Sequence, residues 1–199
     1  MGVSGFHDAT GWGRAHPGAP YPRGVPNDAA PAAPAAPARA RVAVRRGTPD
    51  DVSALAAVHV QAWRETYPGI LSDELLANLR VADHESLWTK ILTGEWADGV
   101  VVGLLDGVVA GFAFAFPGQD PDAARDLELN MIYALERAKG TGLGQAMLDA
   151  ALGDRPALVW VAINNPRARA FYARNGFAPD GASKIIEHWD NVHDIRLVR

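Results

Sequence analysis

The segment from Leu127 to Leu148 reads LELNMIYALERAKGTGLGQAML and predicts the local fold around it. An apolar, strand-like run ends at Tyr133. After a short turn, three glycines at every second position, the first of them Gly140, open a helix. Alternating glycines let successive backbone N–H groups turn towards one concavity, because no Cβ atom blocks them. The helix start adds unpaired N–H groups and the positive end of its dipole, so the segment predicts an anion pocket for phosphate oxygens.

The composition excludes several kinds of site and partner. The 199 residues include no cysteine, which excludes disulfides, thiolate nucleophiles and thiolate metal ligands, and we predict no metal site. The formal net charge of −4 argues against nucleic acid as the main partner. No apolar run approaches the roughly 20 residues that span a bilayer, so we expect no membrane partner. These features favour a cytoplasmic protein.

Two regions differ sharply in composition. Residues 1–40 consist largely of Pro, Ala and Gly, and seven of the 14 prolines lie between Pro17 and Pro37. Such a segment cannot bury enough apolar surface to offset its chain entropy, so we predict a disordered tail. We assign residues 41–199 to one folded domain.

The first part of this domain predicts a strand, helices and a hairpin. Residues 40–45 alternate as in a strand, and Thr48 followed by Pro49 marks a helix start. His59 falls on the apolar stripe of that helix, which favours a core position over a catalytic one. Further helices follow as far as Gly94. Asp106 and Gly107 stand between two strand-like runs, the strongest short signal for a hairpin.

The second part alternates strands and helices. After the glycine helix, residues 157–162 predict a strand, and Asn165 begins a helix that Gly176 ends. Two short strands are expected around residues 184–187 and 194–198. The element order predicts an α/β (α+β) fold with a mostly antiparallel front half and a βαβ unit at the glycine turn.

Two motifs in this order resemble the GNAT superfamily of acyl-CoA-dependent N-acetyltransferases. The first is the strand and glycine turn, where the family has [Q/R]-x-x-G-x-[G/A]. The second is NPRARAFYARNGF, from Asn165 to Phe177, which is similar to the family's N-x-x-A-x-x-F-Y-x-x-x-G-F. The resemblance covers residues 41–199. It implies a mixed, mostly antiparallel central sheet flanked by helices, acetyl-CoA as cofactor, and acetyl transfer to an amine.

The first motif can be read in two frames. The frame that begins at Arg137 fits the family pattern to the letter, whereas the frame that begins at Lys139 has Lys where Gln or Arg is usual. The distance from Tyr133 favours the Lys139 frame. A dinucleotide-binding turn is the rival interpretation of the same glycines, but it needs an acidic residue at the end of the next strand, and Asn164 stands there.

The resemblance implies a set of cofactor contacts. The pantetheine arm of the cofactor would pair with the backbone of the strand end, and its pyrophosphate would bind the N–H groups of the glycine turn. The asparagine at the second helix start would hydrogen-bond the cofactor as well as cap the helix. The residues concerned are Tyr133, Ala134 and Leu135 on the strand, Lys139, Gly140, Thr141, Gly142, Leu143, Gly144 and Gln145 in the turn, and Asn165.

The resemblance also suggests an acid and a base. Tyr172 matches the tyrosine that protonates the departing thiolate in many family members and would also touch the cofactor, although packing beside Phe171 is the alternative. Glu128 lies eleven residues before Lys139, where histone-modifying members carry a basic glutamate. Strand alternation would put Glu128 on the same face as Ile132, towards the cleft. An ordinary solvated glutamate, with water as the base, remains the other interpretation.

In this superfamily the acceptor site is built from the first helices and the late strands. The aromatic, acidic and histidine residues of those segments are Trp63, Glu65, Tyr67, Trp88, Glu187, His188, Trp189 and Asp194. Aromatic rings with carboxylates suit a cationic amine, so we expect a small polyamine-like or aminosugar acceptor.

The run FAPDGASK, residues 177–184, resembles a branch of small bacterial members that includes antibiotic-modifying enzymes. Aminoglycoside acetylation, and with it antibiotic resistance, is therefore among the expectations. Acetylation of protein N-termini or lysines stays open, as does an acyl-CoA-binding module without turnover. Many relatives form homodimers through their late strands, so a homodimer is one expected assembly.

Overall fold

A computed structural model describes residues 40–120, 122 and 125–199. The tail predicted over residues 1–40 lies outside the described residues, apart from Ala40. In the described part of the chain, no helix is both long and apolar enough to cross a membrane.

Strands and helices alternate along the described chain. The strands are β1 (Val42–Arg46), β2 (Val100–Leu105), β3 (Val108–Pro117), β4 (Leu127–Ala134), β5 (Leu158–Ala162), β6 (Ala178–Ile186) and β7 (Val192–Val198). The helices are α1 (Val52–Thr66), α2 (Asp73–Ala77), α3 (Val81–Leu92), α4 (Leu143–Leu152) and α5 (Pro166–Arg174). Short 3-10 turns cover Pro49–Asp51, Ala97–Gly99 and Glu136–Ala138.

The seven strands form one sheet in the order β1-β2-β3-β4-β5-β7-β6. All neighbouring strands are antiparallel except β4 and β5. Helix α4 connects these two parallel strands, as the βαβ prediction requires. The predicted class, a mixed and mostly antiparallel sheet flanked by helices, is therefore confirmed.

Strands β4 and β5 separate soon after they meet. Within the described residues, Glu128 and Leu158 are their one pair of register partners, although β4 continues to Ala134. Beyond that pair, the edge of β4 that faces β5 has no strand beside it. This gap in the middle of the sheet creates the cleft described below.

The entry to α1 follows the predicted capping chemistry. Asp51 accepts hydrogen bonds from the backbone N–H and the hydroxyl of Thr48, at 2.9 and 3.1 Å. Both terminal nitrogens of Arg45 also donate to the Asp51 carboxylate at 2.7 Å. These bonds hold the pKa of Asp51 below its usual value, with the Arg45 hydrogen bonds as the largest cause. The first helix is thereby fixed to strand β1.

The hairpin between β2 and β3 turns at the predicted residues. Asp106 and Gly107 have φ angles of 52° and 83°. Positive φ at both central residues is typical of a type I′ turn, whose twist matches that of the flanking strands.

A bulge in β4 corrects the predicted face of one residue. Opposite β3, Leu129 pairs with Ala115 and Met131 pairs with Phe114, so Asn130 has no partner of its own. Leu129 and Ile132, three residues apart, consequently pack against the same apolar cluster. Alternation from Glu128 to Ile132 is broken, and Ile132 does not share the face of Glu128.

Strand β6 is longer than the sequence predicted. It begins at Ala178, and a register shift against β7 falls between Pro179 and Ser183. Gly181 lies within that stretch with a φ of 97°. Proline and glycine favoured a loop here, but an edge strand tolerates both at a bulge.

Apolar side chains pack on both faces of the sheet. The cluster on one face joins the sheet to α4 and α5 and includes Leu129, Leu148 and Phe177. A second cluster joins the sheet to α1 and α3 and includes Leu55 and Phe112. A third, smaller cluster connects the end of α1 to β5 and β7; Trp63, Ala162 and Val192 belong to it.

Candidate active site

The separation of β4 and β5 opens a cleft of about 2010 Å³. One end, the cofactor half, is bounded by the end of β4, the glycine turn and the start of α5. The other end, the acceptor half, is bounded by α1, α2, α3 and the hairpin of β6 and β7. Tyr172 lines the cleft as well.

The glycine turn presents free backbone donors. Gly140 and Gly142 have φ angles of 77° and 92°, a region that side chains with a Cβ atom rarely adopt. A Cβ atom at either position would meet nothing within 4 Å, so packing does not require glycine there. Among the described residues, no acceptor is present for the N–H groups of Gly140, Gly142, Gly144 and Gln145. These features suit an anion that approaches the backbone closely.

Three N–H groups of the predicted run are already used, one of them that of Leu143, which donates to the Thr141 hydroxyl oxygen at 3.4 Å. The Lys139 N–H donates to the Glu136 carbonyl at 3.0 Å, and the Thr141 N–H points to the Ala138 carbonyl at 3.4 Å. These bonds shape the turn. The structure thus divides the predicted cofactor residues into those that hold the turn and those that face outward from it.

Two cations flank the turn. Lys139 forms an ion pair with Glu136, and Arg167 follows the N-terminal proline of α5. Burial chiefly, and then the positive charge of Arg167, lower the pKa of Lys139, so the two cations act on each other across the cleft. The sequence interpretation missed Arg167, although its place directly after Asn165-Pro166 in the second motif was a usable signal.

The end of β4 offers an unpaired edge. Tyr133 and Ala134 pair with Phe112 and Gly111 on β3, while their opposite edge faces the gap. The Leu135 N–H is already bonded to the Ala110 carbonyl at 2.9 Å. An extended, amide-bearing chain could therefore pair with the free edge like an added strand.

Asn165 has the geometry of a helix cap. Its side-chain oxygen accepts the Ala168 N–H at 3.0 Å. The side-chain NH₂ group has no acceptor in the described part of the chain, and Asn165 lines the cleft. The capping role leaves a donor for a ligand, as the sequence predicted.

Three tyrosines converge where the two halves meet. The hydroxyls of Tyr67 and Tyr133 are 2.7 Å apart and hydrogen-bonded. Tyr172 is buried on α5, its ring packs edge-on against Phe171 and Phe177, and burial raises its pKa. Its hydroxyl has no hydrogen-bond partner among the described residues.

Glu128 lies where β4 and β5 still pair. It is 8% exposed and lines the cleft. Its Oε1 accepts a hydrogen bond from Asn130 Nδ2 at 3.1 Å. This placement differs from an ordinary solvated glutamate, although one carboxylate oxygen already has a partner.

The predicted acceptor aromatics come together in the acceptor half. The ring of Trp63 lies edge-on to those of Tyr67 and Trp189, at 5.3 and 4.9 Å between centroids. The ring centroids of His188 and Trp189 are 5.4 Å apart, and the side chains of Trp63, Tyr67, His188 and Trp189 all line the cleft. Asp190 fastens this hairpin end to α2 by accepting the Ser72 N–H at 2.7 Å.

Three other predicted acceptor residues have different surroundings. Trp88 is 0% exposed and packs edge-on to Phe112 in the core, away from the cleft, so its prediction as a substrate contact is corrected. Helix α3 carries Trp88 on the face that packs against the sheet. Glu65 reaches the cleft, but its carboxylate accepts the Glu136 N–H at 2.6 Å and holds the loop before the glycine turn. Glu187 is exposed and does not line the cleft.

His59 has the predicted core position with an unexpected feature. It is 3% exposed, and burial chiefly lowers its pKa to about 3. Neither ring nitrogen has a hydrogen-bond partner in the described structure. The neutral ring packs against the rings of Phe112 and His84, with centroid distances of 5.0 and 4.5 Å.

Comparison with known proteins agrees with the fold and the glycine turn. The sequence profile of the acetyltransferase (GNAT) family matches residues 59–177. The uncharacterized N-acetyltransferase YuaI of Bacillus subtilis is 33% identical over 163 residues, which cover 78% of this chain and 88% of that protein. The uncharacterized N-acetyltransferase Rv2669 of Mycobacterium tuberculosis is 31% identical, over 75% of this chain and 97% of that protein.

A solved structure has the same fold at low identity. The PaiA N-acetyltransferase of Thermoplasma acidophilum, crystallised with coenzyme A, superposes with a TM-score of 0.60 at 16% identity, covering 78% of this chain and 98% of that one. Family profile, relatives and fold agree with the two sequence motifs. The chain belongs to the GNAT family of acetyl-CoA-dependent N-acetyltransferases.

Proposed function

We propose that the protein transfers the acetyl group of acetyl-CoA to the primary amine of a small cationic molecule, such as a polyamine or an aminosugar. The observation that carries this proposal is the acceptor half of the cleft. It combines the rings of Trp63, Tyr67 and Trp189 with the buried carboxylate of Asp194. Rings and carboxylates together favour an ammonium group over a neutral or anionic one.

The cofactor half fits the parts of acetyl-CoA. The free N–H groups of Gly140, Gly142, Gly144 and Gln145 would bind the pyrophosphate, with Lys139 and Arg167 as nearby cations. The free edge of β4 would pair with the amide-bearing arm, and the Asn165 NH₂ group would add a hydrogen bond. Acetyl-CoA supplies an acetyl group activated as a thioester.

Tyr172 is the proposed acid. Its hydroxyl is protonated at neutral pH, lines the cleft, and has no competing partner among the described side chains. A phenol held in this way can protonate a departing thiolate. Glu128, at the position of the family's basic glutamate, is the candidate base carried over from the motif, and water is the alternative.

Release of free thiol from acetyl-CoA tests the proposal directly. The acceptors would be spermidine, glucosamine, an aminoglycoside, phenethylamine, a lysine peptide and a peptide with a free N-terminus, with product mass as the second readout. We expect turnover with the small amines. Selective acetylation of either peptide would instead establish a protein acetyltransferase. Binding of acetyl-CoA without thiol release for any amine would favour a non-catalytic binding module.

A further inference from the structure

Asp194 occupies the inner edge of the acceptor half. On β7 it pairs with Ala162 of β5 on one side and with Lys184 of β6 on the other. Asp194 is 8% exposed and lines the cleft. The third apolar cluster, which contains Ala162, also contains Trp63 and borders Trp189. The carboxylate thus lies beside the aromatic wall of the acceptor half.

This carboxylate has no partner of its own. Within residues 40–120, 122 and 125–199, the side chain of Asp194 makes no hydrogen bond and no ion pair, and the positive charges of Lys184 and His193 act on it from beyond ion-pair distance. Lys184, its register neighbour, places its ammonium over the ring of Trp160, 3.9 Å from the centroid. A charged carboxylate that is nearly buried and has no ion pair is costly, and an ammonium group bound beside Asp194 would offset that cost.

The charge of Asp194 also acts on two of the tyrosines in the cleft, Tyr67 and Tyr133. Burial is the main reason that the pKa values of Tyr67 and Tyr133 are raised, and the negative charge of Asp194 adds to both. The charge of Tyr172, when it is ionised, likewise raises the pKa of Tyr133. Asp194 is therefore electrostatically close to the cluster that holds the proposed acid.

Glu128, the other buried acid of the cleft, differs from Asp194 in its hydrogen bonding and its position. It already accepts a hydrogen bond from Asn130, and it lies at the end of the cleft where the strands still pair. Of the two buried acids that line the cleft within the described residues, only Asp194 has a side chain without a hydrogen-bond partner.

We propose that Asp194 is the carboxylate that binds the ammonium group of the acceptor and takes up its proton. This inference rests on the proposed function. The ammonium gives one proton to Asp194 and becomes a neutral amine. The nitrogen lone pair forms the bond to the acetyl carbon, and the carbon–sulfur bond breaks with its electron pair on sulfur. Tyr172 gives its proton to sulfur and recovers one from the nitrogen; the proton on Asp194 then leaves to solvent.

The first test compares Asp194→Asn with Glu128→Gln in the full chain, and the inference predicts the larger loss of kcat/KM for Asp194→Asn, whereas a larger loss for Glu128→Gln would assign the base to Glu128. We expect Asp194→Asn to lower kcat/KM for the amine by about ten-fold or more, while KM for acetyl-CoA stays within about two-fold. Asp154→Asn, a loss of the same charge at an exposed position after α4, is the matched control. Full activity of Asp194→Asn beside an active wild type would overturn the inference and leave the proposed function intact.

The pH profile separates proton uptake from a merely structural role. Burial raises the pKa of Asp194, so wild-type kcat/KM should fall as acid protonates this group, and the Asn variant should lose that limb. The titratable groups that act on Asp194, or are acted on by it, are Lys184, His193, Tyr67 and Tyr133. An unchanged acidic limb in Asp194→Asn would assign the proton uptake to another group.

A binding measurement tests, without turnover, whether Asp194 binds the ammonium group. Calorimetry in the presence of coenzyme A would compare phenethylammonium with 2-phenylethanol, which has a hydroxyl in place of the ammonium. We expect the wild type to prefer the ammonium by about ten-fold or more, about 1.4 kcal/mol, and Asp194→Asn to lose that preference. Equal preference in both proteins would overturn the inference. Thermal unfolding of each variant verifies that the fold is retained.

Discussion

The cofactor half and the acceptor half of the cleft are built in opposite ways. The cofactor half takes most of its donors from the backbone of one continuous stretch, residues 139–145. The acceptor half takes its chemistry from side chains far apart in sequence, from Trp63 on α1 to Asp194 on β7. Continuous backbone can be specified by a local pattern of glycines, whereas converging side chains depend on how helices and strands pack.

This difference predicts different responses to substitution. Changes in the cofactor half should act through backbone conformation and should affect KM for acetyl-CoA. Changes in the acceptor half should act through side-chain chemistry and burial. Tyr172, where the halves meet, should affect the chemical step itself.

The largest expected effect is that of Tyr172→Phe. Removing the proposed acid should lower kcat by about ten-fold or more, with both KM values nearly unchanged. Steady-state kinetics with acetyl-CoA and an active amine measure this. The phenyl ring retains the packing against Phe171 and Phe177, so thermal stability should be preserved. An unchanged kcat would remove Tyr172 from the mechanism and leave it as a packing residue.

Gly142→Ala should affect the cofactor half through the backbone. A Cβ atom at the φ of 92° costs about 1–2 kcal/mol and would enter open space beside the turn. We expect KM for acetyl-CoA to rise about ten-fold.

Gly107→Ala, in the β2–β3 hairpin, is the matched control. Gly107 has a similar φ of 83° and equally open space around a Cβ atom, but it does not line the cleft. Both variants should lose comparable stability in urea unfolding, and only Gly142→Ala should change KM. Equal KM values for the two variants would contradict the backbone-donor assignment.

His59→Leu examines the buried aromatic packing behind the acceptor half. The folded protein holds His59 neutral because its pKa is lowered to about 3, while the unfolded chain takes up a proton below about pH 6.5. Wild-type stability should therefore fall as the pH drops below about 6.5, by about 2 kcal/mol at pH 5 from this residue. Urea unfolding at about pH 7 and pH 5 should show that the free energy of unfolding falls less in His59→Leu than in the wild type. Identical losses would mean that His59 is protonated in the folded state.

Local signals predicted much of the cofactor half. Three features could be read directly: the glycine turn, the Asn165 cap and the end of β4. Each depends on neighbours within a few residues, such as the Ala168 N–H that Asn165 accepts. Arg167 was missed because an exposed arginine on a helix has no local mark that separates a ligand contact from a solvated charge.

The acceptor half could be predicted only in part. Trp63 and Trp88 both belong to helical apolar patterns, yet Trp63 lines the cleft and Trp88 is sealed in the core. Helical periodicity identifies a buried face but not what lies opposite to it. Glu65 likewise looked like a substrate contact, and its carboxylate instead accepts the Glu136 N–H.

The sequence by itself determined the glycine turn, the two motifs and the order of helices and strands, because these rest on backbone conformations that nearby residues specify. Tertiary structure alone decided the bulge at Asn130 and the position of β7 between β5 and β6. That strand order brings Asp194 beside Ala162 and the aromatic wall. Strand pairing joins residues with no local relation in sequence, so Asp194 reaches the cleft only in the folded sheet.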